Sequence, residues 1–432
     1  MSEQQAERNA NAGQNAISAL YSERARRIAE GALMKTYRQP RDIKYPMGTG
    51  LPDAALFPVE ELRRYASLAL DTYGPQCLTY GFGGQGNFAG PLVLRRALAR
   101  HASAKDGRDI DPDGVVLASG ASHGIALAAN AYLSPGDVVL AEALTWPWAL
   151  RYMTEAGATI SRVPMDADGM VVDALESRIR ELEAAGMRPK MIYTIPTFHI
   201  PTGTCLPLDR RKRLLSVAER HHLVVLEDNL YYDLRYTGSE IPSLLSLDES
   251  GLVLQSNGFS KTLATGLRMA WVAGSPQATL PLELVRQDLG VNQWIAHTLA
   301  LWINDGCWDR HLDLVLASAR RKYQVTLSAL RQYCEPYLRF GVPDGGIYFW
   351  LELDSAVDAA RLRALLDAEG VGIAPGERFT PNDAGRRFFR LAFLDVDDRD
   401  LETGIAVIGR CLARSATADG SSRDEAARAG AS

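Results

Sequence analysis

The sequence predicts an α/β fold: a large domain on a mostly parallel seven-stranded sheet, followed by a smaller α+β domain. Three observations predict it. Short apolar runs rich in β-branched residues recur at 114–120, 137–143, 159–165, 191–196, 223–229, 252–257 and 269–274. Amphipathic stretches such as 123–133, 172–185 and 207–221 lie between most of them. After about residue 308 the pattern changes to alternation, with strands at 346–353 and 388–393 and a helix near 356–368. Runs apolar on both faces and separated by helices belong to a parallel sheet covered on both sides. The step from 252–257 to 269–274 is too short for a helical crossover, so the last strand runs antiparallel.

The ends of the chain read differently. Residues 1–16 and 415–432 are polar and low in apolar content, and are expected to be disordered. Residues 17–50 are expected to form an arm on the small domain or a partner subunit, with the large domain at 51–307 and the small one at 308–414. A long helix from about 308 to 334 joins the two.

Composition narrows the function. The chain has 432 residues, 47% hydrophobic and 23% charged, with a formal net charge of -5. No basic block points to nucleic acid and no apolar run reaches the roughly 18 residues of a membrane span. No signal-peptide pattern opens the sequence. Five cysteines lie far apart without CxxC spacing, which suits a reduced, cytoplasmic setting. Seven scattered histidines form no metal constellation.

The chemistry concentrates around Lys261. It stands in Ser256-Asn257-Gly258-Phe259-Ser260-Lys261-Thr262-Leu263-Ala264-Thr265-Gly266-Leu267-Arg268. A lysine amine can form a Schiff base with an aldehyde cofactor. An arginine fork seven residues on can grip a phosphate. In an open α/β sheet ligands sit beyond the carboxyl ends of the strands, and several other candidates fall there. Ser119-Gly120-Ala121-Ser122 joins a strand to a helix whose first N–H groups could face a phosphate. Trp146 follows the strand at 137–143 and offers an aromatic face. Asp228 ends the strand at 223–227, with Tyr231 three residues on. Arg390 interrupts an apolar strand, where a cation is costly unless it meets an anion.

Taken in chain order, these phrases resemble the class I/II aminotransferases, fold type I enzymes that use pyridoxal 5'-phosphate (PLP). The likeness spans roughly residues 18 to 411. Gly50-Leu51-Pro52 and Glu227-Asp228-Asn229-Leu230-Tyr231 resemble the 2-aminoadipate and aromatic aminotransferase subgroup. The resemblance implies that Lys261 carries the cofactor and acts as the base. It implies that Asp228 holds the ring nitrogen protonated, Tyr231 meets the ring oxygen and Trp146 stacks on the ring. Gly120, Ala121, Ser122, Ser260 and Arg268 would hold the phosphate, and Tyr80 would reach a neighbouring subunit's phosphate in a homodimer. Arg390, with Gly50 nearby, would take the substrate α-carboxylate.

Two positions depart from the pattern. Ile200, in Pro196-Thr197-Phe198-His199-Ile200-Pro201-Thr202-Gly203, stands where an asparagine would donate to the ring oxygen. Isoleucine cannot donate, which leaves Tyr231 alone unless His199 or water substitutes. Gly258 stands where a hydroxyl is expected, with Ser256 available to compensate. The expected activity is transfer of an amino group from an amino acid to a 2-oxo acid. The alternatives are a specialised PLP enzyme that uses the same carbanion for β/γ-elimination, replacement or C–C bond formation, for instance on S-adenosylmethionine, and, further off, an inert homologue or a regulator.

Overall fold

A computed structural model describes residues 17–30, 43–80, 88–380 and 383–416. Of the polar ends assigned to 1–16 and 415–432, all but Ser415, which ends a helix, and Ala416 lie outside the described residues, as does the part of the arm at 31–42. Residues 1–41 form a unit of their own, in which Glu23–Glu30 is helical. Everything below concerns the second unit, 42–432.

The central sheet has seven strands. They are β1 (Val115–Ala118), β2 (Asp137–Glu142), β3 (Thr159–Val163), β4 (Arg188–Thr194), β5 (Val224–Asp228), β6 (Val253–Gly258) and β7 (Ala270–Ala273), in spatial order β1-β7-β6-β5-β4-β2-β3. All pairs are parallel except those of β7, which runs antiparallel to both β1 and β6. Each expected strand is present, and β7 turns back where the short connection required it.

Strand alternation explains why these runs are apolar throughout. Successive side chains point to opposite faces. Val116 and Val139 enter one buried cluster, while Val115, Leu117, Val138 and Leu140 enter another. Helices supply the other half of each cluster. The first takes Ile125 and Ala128 from α1 (Ala121–Tyr132) and Ala149 and Leu150 from α2 (Pro147–Glu155). The second takes Leu175 and Ile179 from α3 (Val172–Ala184) and Leu214 and Val217 from α4 (Leu208–Arg220). Each valine or leucine fully buried in this way contributes about 1.5–3 kcal/mol.

The first cluster continues into the C-terminal part of the chain. There the long helix α5 (Cys307–Tyr333) packs against α7 (Asp398–Ser415), and α6 (Ala359–Ala368) lies beside α7. A four-stranded antiparallel sheet has the order β8-β9-β11-β10, from β8 (Leu338–Phe340), β9 (Tyr348–Leu353), β10 (Ala374–Pro375) and β11 (Phe388–Ala392). The chain at Tyr45–Pro46 pairs in parallel with Val371–Gly372, and the Ala392 N–H donates to the Met47 carbonyl at 2.8 Å. That seam delivers residues 48–50 to the functional site.

Candidate active site

The carboxyl ends of β1, β2, β4, β5 and β6 present Gly120, Trp146, the 196–203 loop, Asp228 and Lys261 in turn. Asp228, the last residue of β5, lies opposite Ser256 of β6 and is buried. The Tyr193 hydroxyl donates to its Oδ2 at 2.9 Å, and the Leu230 N–H also serves it. Burial outweighs these donors and the nearby Lys261 charge, and pushes the carboxyl from 3.8 to about 6. A cation placed against it would relieve that cost.

Lys261 follows the end of β6 in a turn and is half-buried. Its Nζ donates to the Gly50 carbonyl at 2.8 Å and lies 6.0 Å from the centre of the Tyr231 ring. The Tyr231 hydroxyl in turn lies 3.0 Å from that of Tyr348 on β9.

Arg390 sits in the middle of β11, facing Trp350 across to β9. Its guanidinium lies 4.0 Å from the centre of the Tyr348 ring and 5.1 Å from that of Phe379. Nη2 donates to the Gly48 carbonyl at 2.7 Å, while the buried Nε has no partner. A buried guanidinium that keeps a donor in reserve is suited to a carboxylate.

Arg268 has a left-handed backbone, φ +48°, which folds it back over the start of α1. Its Nη2 donates to the Ser119 carbonyl at 3.2 Å. Gly120, at φ +94°, caps α1, and a Cβ there would lie 2.1 Å from Arg268 Nη2. Only glycine lets the guanidinium meet the helix start. No side chain caps that helix, so the backbone N–H groups at Ala121 and Ser122 begin it beside a cation. A helix start of this kind beside a guanidinium is suited to a phosphate. Ser122 and Ser260 are half-buried.

The two departures have structural causes or consequences. A Cβ at Gly258 would lie 2.8 Å from the Ala270 Cβ, so the β6–β7 pair leaves no space for a hydroxyl side chain. Ser256, on the same face two residues earlier, has a buried Oγ without a partner. Ile200 is buried in a loop that Arg211 secures through the Pro196 carbonyl and Thr197 Oγ1. His199 spends Nδ1 on Thr202 Oγ1 at 2.8 Å, and burial holds its pKa down to about 3. It is a neutral ring held to its loop through Nδ1, and its buried Nε2 has no hydrogen-bond partner. Trp146 caps α2 and packs half-buried against the core. Tyr80 is 68% exposed, immediately before residues 81–87, which lie outside the described residues.

Sequence reasoning missed Tyr193, Tyr348 and the carbonyls of Gly48 and Gly50. Tyr193 and Tyr348 sat inside runs already read as strands. What singles them out is which strand pairs with which, and the sequence does not state that.

Fold, lysine, phosphate cradle and buried carboxylate together define a fold type I PLP enzyme. Residues 79–408 match the aminotransferase class I and II family, and the chain belongs to that family. It is 31% identical to aromatic-amino-acid aminotransferase 1 of Thermococcus litoralis, over 82% of this chain and 85% of that one. It is 30% identical to the 2-aminoadipate transaminase of Thermus thermophilus, over 88% and 92% of the two chains. Among solved structures, the α-aminoadipate aminotransferase LysN of Thermus thermophilus, complexed with N-(5'-phosphopyridoxyl)-L-leucine, superposes with a TM-score of 0.81 at 29% identity, covering 92% of this chain and 98% of that one. The protein is a PLP-dependent amino acid aminotransferase.

Proposed function

We propose that this aminotransferase takes its amino group from an α-amino acid with an aromatic or long side chain and delivers it to a 2-oxo acid, using the residues just described. The observation that carries the reading is the pair of poised groups on one short segment. Gly50 holds the Lys261 amine and Gly48 holds the Arg390 guanidinium, whose Nε is unpartnered.

PLP, when bound, supplies an electron-accepting ring conjugated to the substrate nitrogen. The side chains do the rest. Asp228 would hold the ring nitrogen in its cationic form, with Tyr193 orienting Asp228. Trp146 would lie against the ring, Gly120, Ala121, Ser122, Ser260 and Arg268 would hold the phosphate, and Tyr231 would serve the ring oxygen. Arg390 would bind the α-carboxylate and so fix which Cα bond faces Lys261. The Lys261 amine, released from Gly50, would act as the general base that takes the α-proton.

The names of the relatives support the substrate class, and Tyr231, Tyr348 and Phe379 beside Arg390 offer aromatic surface to such a side chain. We assign residues 17–50 to an arm, 51–307 to the cofactor domain and 308–414 to the small domain. A homodimer in which Tyr80 reaches the partner's phosphate completes the arrangement. The five cysteines are all free, which suits the cytoplasmic setting we assign. Among the described residues no helix is long and apolar enough to cross a membrane.

A cofactor balance tests the reading. The holoenzyme is mixed with single amino acids and the cofactor followed by absorbance and mass spectrometry. Stoichiometric conversion to pyridoxamine phosphate, reversed by a 2-oxo acid, is expected. Turnover on amino acids with PLP regenerated and no pyridoxamine form would instead indicate elimination or replacement.

A further inference from the structure

Tyr231, in the turn after β5, and Tyr348, the first residue of β9, bring their hydroxyls to 3.0 Å. Both are buried. Two phenols carry two protons and share one hydrogen bond, so one proton remains for a third atom. Arg390 lies over the Tyr348 ring at 4.0 Å, and Lys261 also acts on it. Asp395 opposes them from the loop after β11. Burial raises both phenols, but the two cations and the hydrogen bond with Tyr231 together more than offset it at Tyr348, which lies below the ordinary phenol value. Tyr231, with Asp228 nearby, stays well above it. Either hydroxyl can donate across that distance. Once Tyr231 gives its proton to the ring oxygen, as proposed above, the proton between the two oxygens has to come from Tyr348.

The hydroxyl of Tyr348 is also seated. A Cβ at Gly50 would fall 2.4 Å from it, and Gly50 has φ +70°. The chain beside Lys261 therefore narrows to a glycine at the point where that oxygen sits. The 196–203 loop lies against the same strand, since a Cβ on Gly203 would be 3.4 Å from the Tyr348 carbonyl. That loop brings Ile200, whose side chain offers no donor.

We propose that Tyr348 is a positioning residue whose hydroxyl donates to Tyr231 and thereby aims the Tyr231 proton at the cofactor's ring oxygen, a task Ile200 cannot share. The proposal rests on the PLP site described above. A hydroxyl that accepts one hydrogen bond donates a stronger one, because chained hydrogen bonds polarise each other. One well-directed donor then serves in place of two.

The test is a pH titration of the absorbance of the yellow holoenzyme. The titrating proton is held beside the ring oxygen by that oxygen's negative charge. A donor that draws on this charge loosens the proton, and loss of the donor tightens it. Tyr348→Phe is expected to raise the proton affinity roughly tenfold, the scale of one hydrogen bond. Tyr231→Phe should raise it further, and adding Tyr348→Phe to that variant should change nothing. Ile200→Asn, which supplies an amide donor, should lower it both in the wild type and in Tyr348→Phe. An unmoved titration in Tyr348→Phe overturns the proposal, as does a full Tyr348→Phe effect in the Tyr231→Phe background. If Tyr348→Phe does not fold, Ile200→Asn decides, and an unchanged titration there counts against the proposal. A wild-type protein that binds no PLP and shows no chromophore overturns the cofactor reading beneath it.

Discussion

Replacing Asp228 with asparagine should make the cofactor-free protein more stable and the enzyme worse. The carboxyl is fully buried, and its pKa is raised from 3.8 to about 6, chiefly by loss of water. A raised folded-state value means that the stabilising contribution is complete below 3.8 and is lost as pH climbs through about 6. At pH 8 the ionised group therefore costs the apoprotein about 3 kcal/mol. Asparagine keeps an acceptor for the Tyr193 hydroxyl but brings an amide donor that needs a partner, at roughly 1 kcal/mol. The net expectation at pH 8 is a gain of about 2 kcal/mol. The assay is urea denaturation of PLP-stripped wild type and Asp228→Asn at pH 8 and again near pH 4. The gain should be present at the higher pH and absent at the lower. With PLP present the order should reverse, because the cationic ring nitrogen has lost its counter-charge. Removing one partner of a buried ion pair costs about 3–5 kcal/mol, so cofactor affinity or kcat should fall on the order of a hundredfold or more. An Asn variant no more stable than wild type at pH 8, or equally favoured at both pH values, would refute the idea that Asp228 is a strained carboxylate awaiting a cation.

Other expectations follow from the same geometry. Lys261→Ala should lower turnover by roughly 10²–10⁴-fold or more, and borohydride reduction followed by mass spectrometry should no longer find PLP attached at position 261; retained multiple turnover would remove it from its role. Arg390→Ala should cost amino acids roughly 10–100-fold in kcat/KM, the scale of a charge-assisted hydrogen bond, while sparing amines that lack the carboxylate; an unchanged ratio between the two would exclude it. Glu142, at the end of β2, is pushed from 4.5 to about 7 by burial despite donors from Thr194, Ile195 and Thr145. Its contribution is likewise full below 4.5 and lost as pH rises through about 7, so Glu142→Gln should remove about 3 kcal/mol of the stability lost between pH 4.5 and 8, measured by denaturation midpoints across that range.

The strands of the large sheet were legible because burial on both faces leaves a continuous apolar run, which no loop or surface helix imitates. Even the reversal of β7 followed from a connection too short to cross over. Two short strands, β8 and β10, have three and two residues and carry no such signature. Among site residues, Asp228, Lys261 and Arg390 announce themselves as charges at the ends of strands or within apolar runs. Tyr348 does not, because a tyrosine in an alternating strand looks like core until β9 is set beside β11. Gly258 is a similar case. Its missing hydroxyl reads as a loss in the sequence, and the reason is Ala270 on the neighbouring strand. Gly48 and Gly50 act through carbonyls on residues more than 200 positions away, and a backbone oxygen leaves no trace in composition.

Those carbonyls explain how one segment can hold two cations without disarming either. Gly48 meets Arg390, Thr49 gives its hydroxyl to Asp395 at 3.0 Å, and Gly50 meets Lys261. Three successive residues thus set the spacing between the lysine and the arginine. A carbonyl accepts a hydrogen bond from a charged ammonium or a neutral amine alike, so Lys261 can lose its proton and leave. A carboxylate in the place of Gly50 would favour the ammonium, and freeing the lysine would mean splitting a partly buried ion pair. It would also neutralise charge that Arg390 needs for the substrate. Asp395, close to this segment, takes the Thr49 hydroxyl on Oδ2, and burial raises its pKa. The segment therefore fixes the positions of both groups while leaving the charge of one and the basicity of the other available for chemistry.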